Sequence, residues 1–448
     1  MKKKNIYIIC LIVFCIAVVG IILNYNRKEK EMETIVYELL PRKGAAANTV
    51  EWKVVQKKSN GLLTVLKSKP DDRNTLIRLA AIYIQEARET GNYMYYDRAA
   101  MKSVNRILKT DTANFNALVY KSLIYLSQHH FAEGLAEAHK AQQVNPYNAY
   151  VYGLLVDGNV EMGNYDSAIV YSDRMNVIRP DLTSYSRVSY LREIFGNYKS
   201  AIEAMKMAVE AGGRGDEHTE WTRVQLANLY EKTGDYKKAE YLYNVSLSMR
   251  PDYSYALAGL ARVAVAANDI KKAIALYEKA DSLISDNSMK EELVDLYRQS
   301  GQNKKADEMA YAVIKDLSND VKAEDKDQTI GHYADRELAY AYLKVNNTDK
   351  ALEHALLEYN RRPENIDVNE TLAWVYYNKG AYDKAVAYIK AALRTNSKNP
   401  VLLSRAGLIY YKSGEKQLAR FMLQKAFVAN SYVGYNLKAQ ASNAMQNL

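Results

Sequence analysis

The sequence predicts an all-α chain, a solenoid of stacked helix-turn-helix hairpins preceded by one N-terminal transmembrane helix. Three observations carry this. A phrase of Gly-(Asn/Asp/Ala)-Tyr, followed by Ala three residues later, returns along the chain. Its copies recur at intervals near 34 residues, and the chain opens on an apolar run from Ile6 to Leu23.

The phrase stands as Gly163-Asn164-Tyr165 with Ala168, Gly196-Asn197-Tyr198 with Ala201, Gly234-Asp235-Tyr236 with Ala239, and Gly380-Ala381-Tyr382 with Ala385. Looser copies put Ala273, Ala306, Ala351 and Ala419 in the same role. Read off the numbering, the Ala-to-Ala steps are 33, 38, 34, 33, 45, 34 and 34. A period of roughly 34 is that of hairpins that cannot bury their apolar faces alone and therefore stack. It overrides the expectation of about three globular domains for 448 residues. Pro146, Pro180, Pro251, Pro363 and Pro400 follow apolar periodic runs, where proline ends a helix without breaking one. Tyrosine outnumbers phenylalanine 38 to 6, which suits a thin core where a ring packs and its hydroxyl reaches a polar partner.

The run from Ile6 to Leu23 follows Lys2-Lys3-Lys4 and is close to the shortest helix that spans a bilayer. The leading lysines predict a single-pass anchor with its N-terminus in the cytoplasm and the solenoid outside it. The competing expectation is a signal peptide, cleaved to leave a secreted or periplasmic protein. The run is long for one, and Asn24-Tyr25-Asn26 offers no small-x-small cleavage site. A lipoprotein signal would need a small residue just before Cys10 or Cys15, and neither has one. Both cysteines lie inside the run, so the remainder has no thiol for a disulfide, a zinc-thiolate site or a nucleophile.

The expected organisation is an anchor over 1–24, a linker and lead-in helix over 25–72, the solenoid over 73–435 and a short tail over 436–448. Val50 to Leu66 reads as the lead-in helix. In the first hairpin, Arg88 to Tyr96 reads as a turn longer than those that follow. Two stretches break the period: Gly212-Gly213-Arg214-Gly215, and about 11 extra residues near Ser318 to Thr329, expected as a surface loop or a helix extension.

Within each unit a small or apolar pair recurs: Leu226-Ala227, Leu260-Ala261, Leu293-Val294, Leu338-Ala339, Leu372-Ala373 and Ala406-Gly407. A tyrosine usually follows three or four residues later, as Tyr230, Tyr297, Tyr342, Tyr376 and Tyr410 do. With the later Ala, these residues resemble the tetratricopeptide repeat over roughly residues 73 to 435, in nine or ten units. The stretch from Tyr185 through Arg262 is similar to one group of exported bacterial tetratricopeptide proteins.

The resemblance implies a right-handed superhelix whose first helices line a concave groove. Carried over by position, that groove includes Asp157, Tyr190, Trp221, Asn228, Arg262, Asp295, Arg298, Arg336, Tyr340, Trp374 and Tyr377. Arginines in a row can clamp a carboxylate, and Trp and Tyr dominate interface energies. Trp221 and Trp374 have packing between repeats as their competing role.

Signals of catalysis are scarce. Gly212 to Gly215 lacks the Lys-Ser/Thr and the preceding strand of a phosphate loop, and there is no Gly-x-Ser-x-Gly. His130, Glu133 and Glu137 share a helix face beside His129 and His139, but no second imidazole stands at i+4, so they read as an exposed polar face rather than a metal site. No cofactor is expected. The net charge of +9 is spread widely, with no basic stripe interleaved with aromatics, so nucleic acid is not the expected partner.

The expected function is therefore a non-enzymatic, membrane-tethered scaffold. It binds a protein or peptide in its groove and contacts the bilayer through Ile6 to Leu23. The alternative is a noncatalytic structural subunit of a larger cell-envelope machine for secretion or export.

Overall fold

The computed structural model describes Leu11, residues 13–21, Asn24, and residues 36–326, 331–428 and 433–448. The chain divides into two compact units, Met1–Leu40 and Pro41–Leu448. In the first, Leu11 and residues 13–21 are helical. The expected membrane helix, Ile6 to Leu23, lies partly outside the described residues. Among the described residues no helix is long and apolar enough to cross a membrane.

The second unit is all helix and loop among its described residues. A lead-in helix, Val50–Ser68, precedes ten hairpins. Hairpins 1 to 5 pair Arg73–Thr90 with Tyr93–Leu108, Phe115–Ser127 with Phe131–Val144, Ala149–Met162 with Tyr165–Ile178, Leu182–Ile194 with Tyr198–Glu210, and Glu217–Lys232 with Tyr236–Met249. Hairpins 6 to 10 pair Ser254–Ala266 with Ile270–Leu283, Asn287–Gln299 with Asn303–Lys326, Asp335–Lys344 with Thr348–Arg361, Ile366–Asn378 with Tyr382–Ala392, and Pro400–Lys412 with Lys416–Phe427. A last helix, Tyr435–Gln446, packs on hairpin 10.

The recurring phrase builds the turn inside each hairpin. All ten turns hold one residue with a left-handed backbone: Gly91, His129, Gly163, Gly196, Gly234, Asn268, Gly301, Asn346, Gly380 and Gly414. Such a residue ends the first helix and redirects the chain into the second. Five positions later stands the small residue of the phrase. Ala168, Ala201, Ala239, Ala273, Ala306, Ala351, Ala385 and Ala419 are each fully buried, which lets the paired helices approach closely. Polar caps start the helices: Asp72, Asn114 and Asn365 each accept from backbone N–H groups, and Asp181 forms a capping box with Ser184.

Some expectations change. The turn of hairpin 1 is not long: Gly91 and Asn92 alone separate its helices, and Gly91-Asn92-Tyr93 is a further copy of the phrase with Tyr96 in the alanine's place. Helix continues through Tyr93 to Tyr96 because Tyr96 is buried against its own hairpin, stacked on Tyr83. Pro400 starts a helix, at its first turn, where a missing N–H costs nothing. The insertion extends the second helix of hairpin 7 to 24 residues; residues 327–330 lie outside the described residues. Pro41 to Thr49 is docked within the hairpin unit. Arg42 is buried, paired with Glu86 at 2.5 Å and lying over Trp52.

One relationship has no counterpart in the repeat pattern. The turn inside hairpin n meets the loop between hairpins n+5 and n+6. Ser285 N–H donates to Thr90 C=O (3.1 Å), and Tyr333 N–H donates to Gln128 C=O (3.1 Å). Ile366 N–H donates to the Tyr165 hydroxyl (3.0 Å), and Asn365 Nδ2 donates to Glu161 C=O (2.9 Å). Gly196 touches Asn396 and Lys398 in the same register. The solenoid therefore coils on itself with about five hairpins per turn, and a continuous seam joins successive turns.

Candidate functional site: the inner wall of the superhelix

First helices of successive hairpins touch one another as well as their own partners, so they form the inner wall of the coil. Polar and aromatic side chains line it, and most are already engaged. Arg187 of hairpin 4 holds Asp157 of hairpin 3, with Nη2 to Oδ2 at 2.6 Å. Arg262 of hairpin 6 donates to Glu231 (2.8 Å) and Asn228 (2.6 Å) of hairpin 5. The Tyr243 hydroxyl lies 2.6 Å from both Asn228 Oδ1 and Glu231 Oε1, one of which takes its proton. Gly259 leaves the space for the Tyr243 ring, which would lie 2.3 Å from a Cβ there. Lys344 of hairpin 8 reaches Asp295 of hairpin 7 at 2.6 Å. The Arg187, Arg262 and Lys344 pairs bridge neighbouring hairpins, so these groups fix the pitch of the coil, while the Tyr243 contacts lie within hairpin 5.

Hairpins 8 to 10 bring four of the predicted groove residues together. Arg405 Nη1 donates to the Tyr340 hydroxyl (2.7 Å) and to Glu370 (3.1 Å). Its guanidinium lies 5.0 Å from the Tyr340 ring and 5.1 Å from the Trp374 ring. Trp374 stacks on Tyr377 at 4.7 Å with planes 9° apart. Arg336 donates from Nε to the Thr371 hydroxyl (3.3 Å) and lies over Tyr340. Among the described residues Arg336 has no carboxylate within ion-pair distance, unlike the arginines at 187, 262 and 405.

The other predicted residues scatter. Arg298 pairs with Asp307 on the second helix of its own hairpin and joins no wall network. Tyr190 keeps 42% of its surface exposed, yet surrounding protein pushes its pKa well above the usual value, as befits a side chain in a concavity. Trp221 is 36% exposed, with Arg88 5.9 Å from its ring. The two tryptophans thus differ, because Trp374 also packs on the cluster of Leu408, Leu423, Ala441 and Ala444.

Residue choice by position missed Arg187 and Arg405. Arg187 stands three residues before Tyr190, one turn back on the same helix face, and Arg405 stands three before Leu408 at the matching place. It also missed a pocket of about 540 Å³ walled by hairpins 1 to 3, including Arg88, Tyr93, Asp97, Tyr120 and Tyr150. Burial raises the Asp97 carboxyl to about 7 against a Ser127 hydrogen bond. Burial likewise raises Glu291, on hairpin 7, to about 7 despite nearby Lys344. The exposed polar face expected of His129, His130 and His139 with Glu133 and Glu137 does not form: His130 and Glu137 are buried, His129 and His130 turn to the seam, and His139 pairs with Gln142.

Ten stacked hairpins around a polar inner wall define an all-α superhelical repeat protein. Family models described as tetratricopeptide repeat match residues 181–252, 232–288 and 336–400, and the chain carries tetratricopeptide repeats there. No curated protein matches the chain. Solved structures similar to it include a human IFIT1 dimer with PPP-AAAA, at 16% identity over 71% of this chain and 73% of that one, with a TM-score of 0.45. TTC0263, a thermophilic TPR protein of Thermus thermophilus, has 19% identity over 43% of this chain and 97% of that one, with a TM-score of 0.37. PilW, a type IV pilus biogenesis factor, has 15% identity over 44% and 91%, with a TM-score of 0.37.

Proposed function

We infer that this chain is a noncatalytic scaffold that captures an acidic segment of a partner protein on the inner wall of hairpins 8 to 10. One observation carries the reading: Arg336 is a wall arginine without a carboxylate partner, bordered by Tyr340, Trp374 and Tyr377. A carboxylate arriving there gains a charge-assisted hydrogen bond and aromatic surface, with no existing ion pair to break. The chain is held at a membrane by Ile6 to Leu23, with Lys2-Lys3-Lys4 cytoplasmic and the solenoid on the far side.

A photo-cross-linking residue at Tyr340 tests the site, with one at the exposed Tyr311 of hairpin 7 as control. The cross-linked segment is then synthesised with its acidic residues intact or replaced by amides. The expected result is an acidic segment captured at Tyr340 only, bound about tenfold or more weakly by Arg336→Gln, the equivalent of about 1.4 kcal/mol. Equal affinity of the amide peptide, or of Arg336→Gln, overturns the reading. Proteinase digestion of the solenoid in intact and permeabilised cells tests the compartment; cleavage only when the cytoplasm is opened contradicts it.

A further inference from the structure

We propose that His129, His332 and Glu337 form a site for one divalent first-row transition ion, zinc by its donor set, that staples one turn of the superhelix to the next. His129 is the left-handed residue in the turn of hairpin 2. His332 lies in the loop that leads into hairpin 8, and Glu337 in the first turn of that hairpin's first helix. The seam alone brings them together across some 200 residues of sequence.

Their potential ligand atoms all lie within 4.8 Å of one another, and the two imidazole centroids are 4.3 Å apart. Zinc bonds of about 2.0–2.2 Å in a tetrahedron put donor atoms roughly 3.4 Å apart. Two imidazoles and one carboxylate are a recurrent set for zinc and its neighbours, with a remaining position for water.

Two further observations point the same way. His129 Nδ1 lies 3.2 Å from Tyr333 C=O, which can only accept, so Nδ1 carries the proton and Nε2 presents a lone pair. A second-layer carbonyl holding an imidazole in this way is usual for metal-binding histidine. Glu337 Oε2 is buried and has no hydrogen-bond partner among the described residues, an expense that coordination would remove. Two guanidinium groups near His129 oppose added positive charge there: Arg362, itself held by Glu161 and Glu358, and Arg336.

The test uses the full chain, purified in detergent without a histidine tag and freed of metal by chelator dialysis. Zinc and cobalt are titrated by calorimetry, and cobalt also by its d–d absorption. Wild type is expected to bind one ion per chain with a tetrahedral or five-coordinate cobalt spectrum and to melt higher when loaded. His129→Asn keeps a residue that tolerates the left-handed backbone, and Glu337→Gln keeps the shape of the carboxylate. Each is expected to weaken binding by more than about tenfold, the range already seen for removing groups one layer outside metal ligands. The rise in melting temperature on loading should vanish with it. His139→Ala, outside the cluster, should bind as wild type. Absence of saturable binding by wild type, or binding unchanged in both His129→Asn and Glu337→Gln, overturns the proposal.

Discussion

A Cβ added to Gly163 would stand 2.3 Å from the backbone carbonyl carbon of Glu364, 201 residues further along the chain. The same turn position at Gly380 has nothing within 4 Å. Both glycines have left-handed backbones, with φ of 81° and 76°. Gly380→Ala should therefore show only the left-handed cost of about 1 to 2 kcal/mol. Gly163→Ala adds a clash against backbone, worth about 2 kcal/mol more by analogy with overpacking. Urea denaturation of the two variants side by side checks this. Equal losses would mean that the seam yields freely at this point.

That comparison marks where the repeat stopped being informative. The period and the small residues point to nine or ten hairpins, because both follow from contacts between neighbours about 5 to 35 residues apart. The seam follows from the accumulated rotation per hairpin, which no single unit spells out. Gly91, Gly163 and Gly196 therefore read as turn residues like Gly301 and Gly414, although only the first three also touch a later turn. The candidate wall residues were legible as a helix face. Their pairing was not, because Arg187 and Asp157, or Arg262 and Glu231, stand 30 and 31 residues apart on different hairpins. The histidines misled for the same reason: His129 and His130 were read beside their sequence neighbours, whereas His332 and Tyr333 are their partners.

Arg262 should act on stability before it acts on binding. It is the cation for Glu231, whose side chain is 6% exposed, and it also holds Asn228 and the Tyr243 hydroxyl. Removing one member of such a pair strands the other, at about 3 kcal/mol. Arg262→Ala should lower thermal stability by that amount. Adding Glu231→Gln should recover part of the loss, because the stranded charge disappears. A double-mutant cycle measures the coupling, and strictly additive losses would show that the pair contributes nothing as a pair.

Asp97 predicts a pH dependence of stability. Its carboxyl is 2% exposed, and burial raises its pKa from 3.8 to about 7. The folded-state value lies above the unfolded one, so between about pH 4 and 7 the folded chain binds the extra proton. The stabilisation is complete below that window and is lost as pH rises through it. A shift of this size corresponds to up to about 4 kcal/mol at pH 8. Asp97→Asn, which keeps a partner for Ser127, should melt at a higher temperature than wild type at pH 8. The two should converge near pH 4. A constant difference across the range would show that ionisation of Asp97 is not its cause.

The two wall tryptophans should part company in the same way. Trp374 stacks on Tyr377 and packs on Leu408, Leu423, Ala441 and Ala444, so it ties hairpin 9 to hairpin 10 and the last helix. Truncating so large a half-buried ring removes about 3 kcal/mol. In a chain of nearest-neighbour units the loss is local. Trp374→Ala should therefore speed amide exchange in Pro400–Lys412 and Tyr435–Gln446 and leave hairpins 1 and 2, whose seam contacts fall earlier in the chain, unchanged. Trp221 has 36% of its surface exposed, with Arg88 5.9 Å from its ring. Surface changes of this kind stay within about 0.5 kcal/mol, so Trp221→Ala should exchange like wild type throughout. If Trp221→Ala instead loosened hairpin 5 as strongly as Trp374→Ala loosens hairpin 10, Trp221 would be a packing residue too.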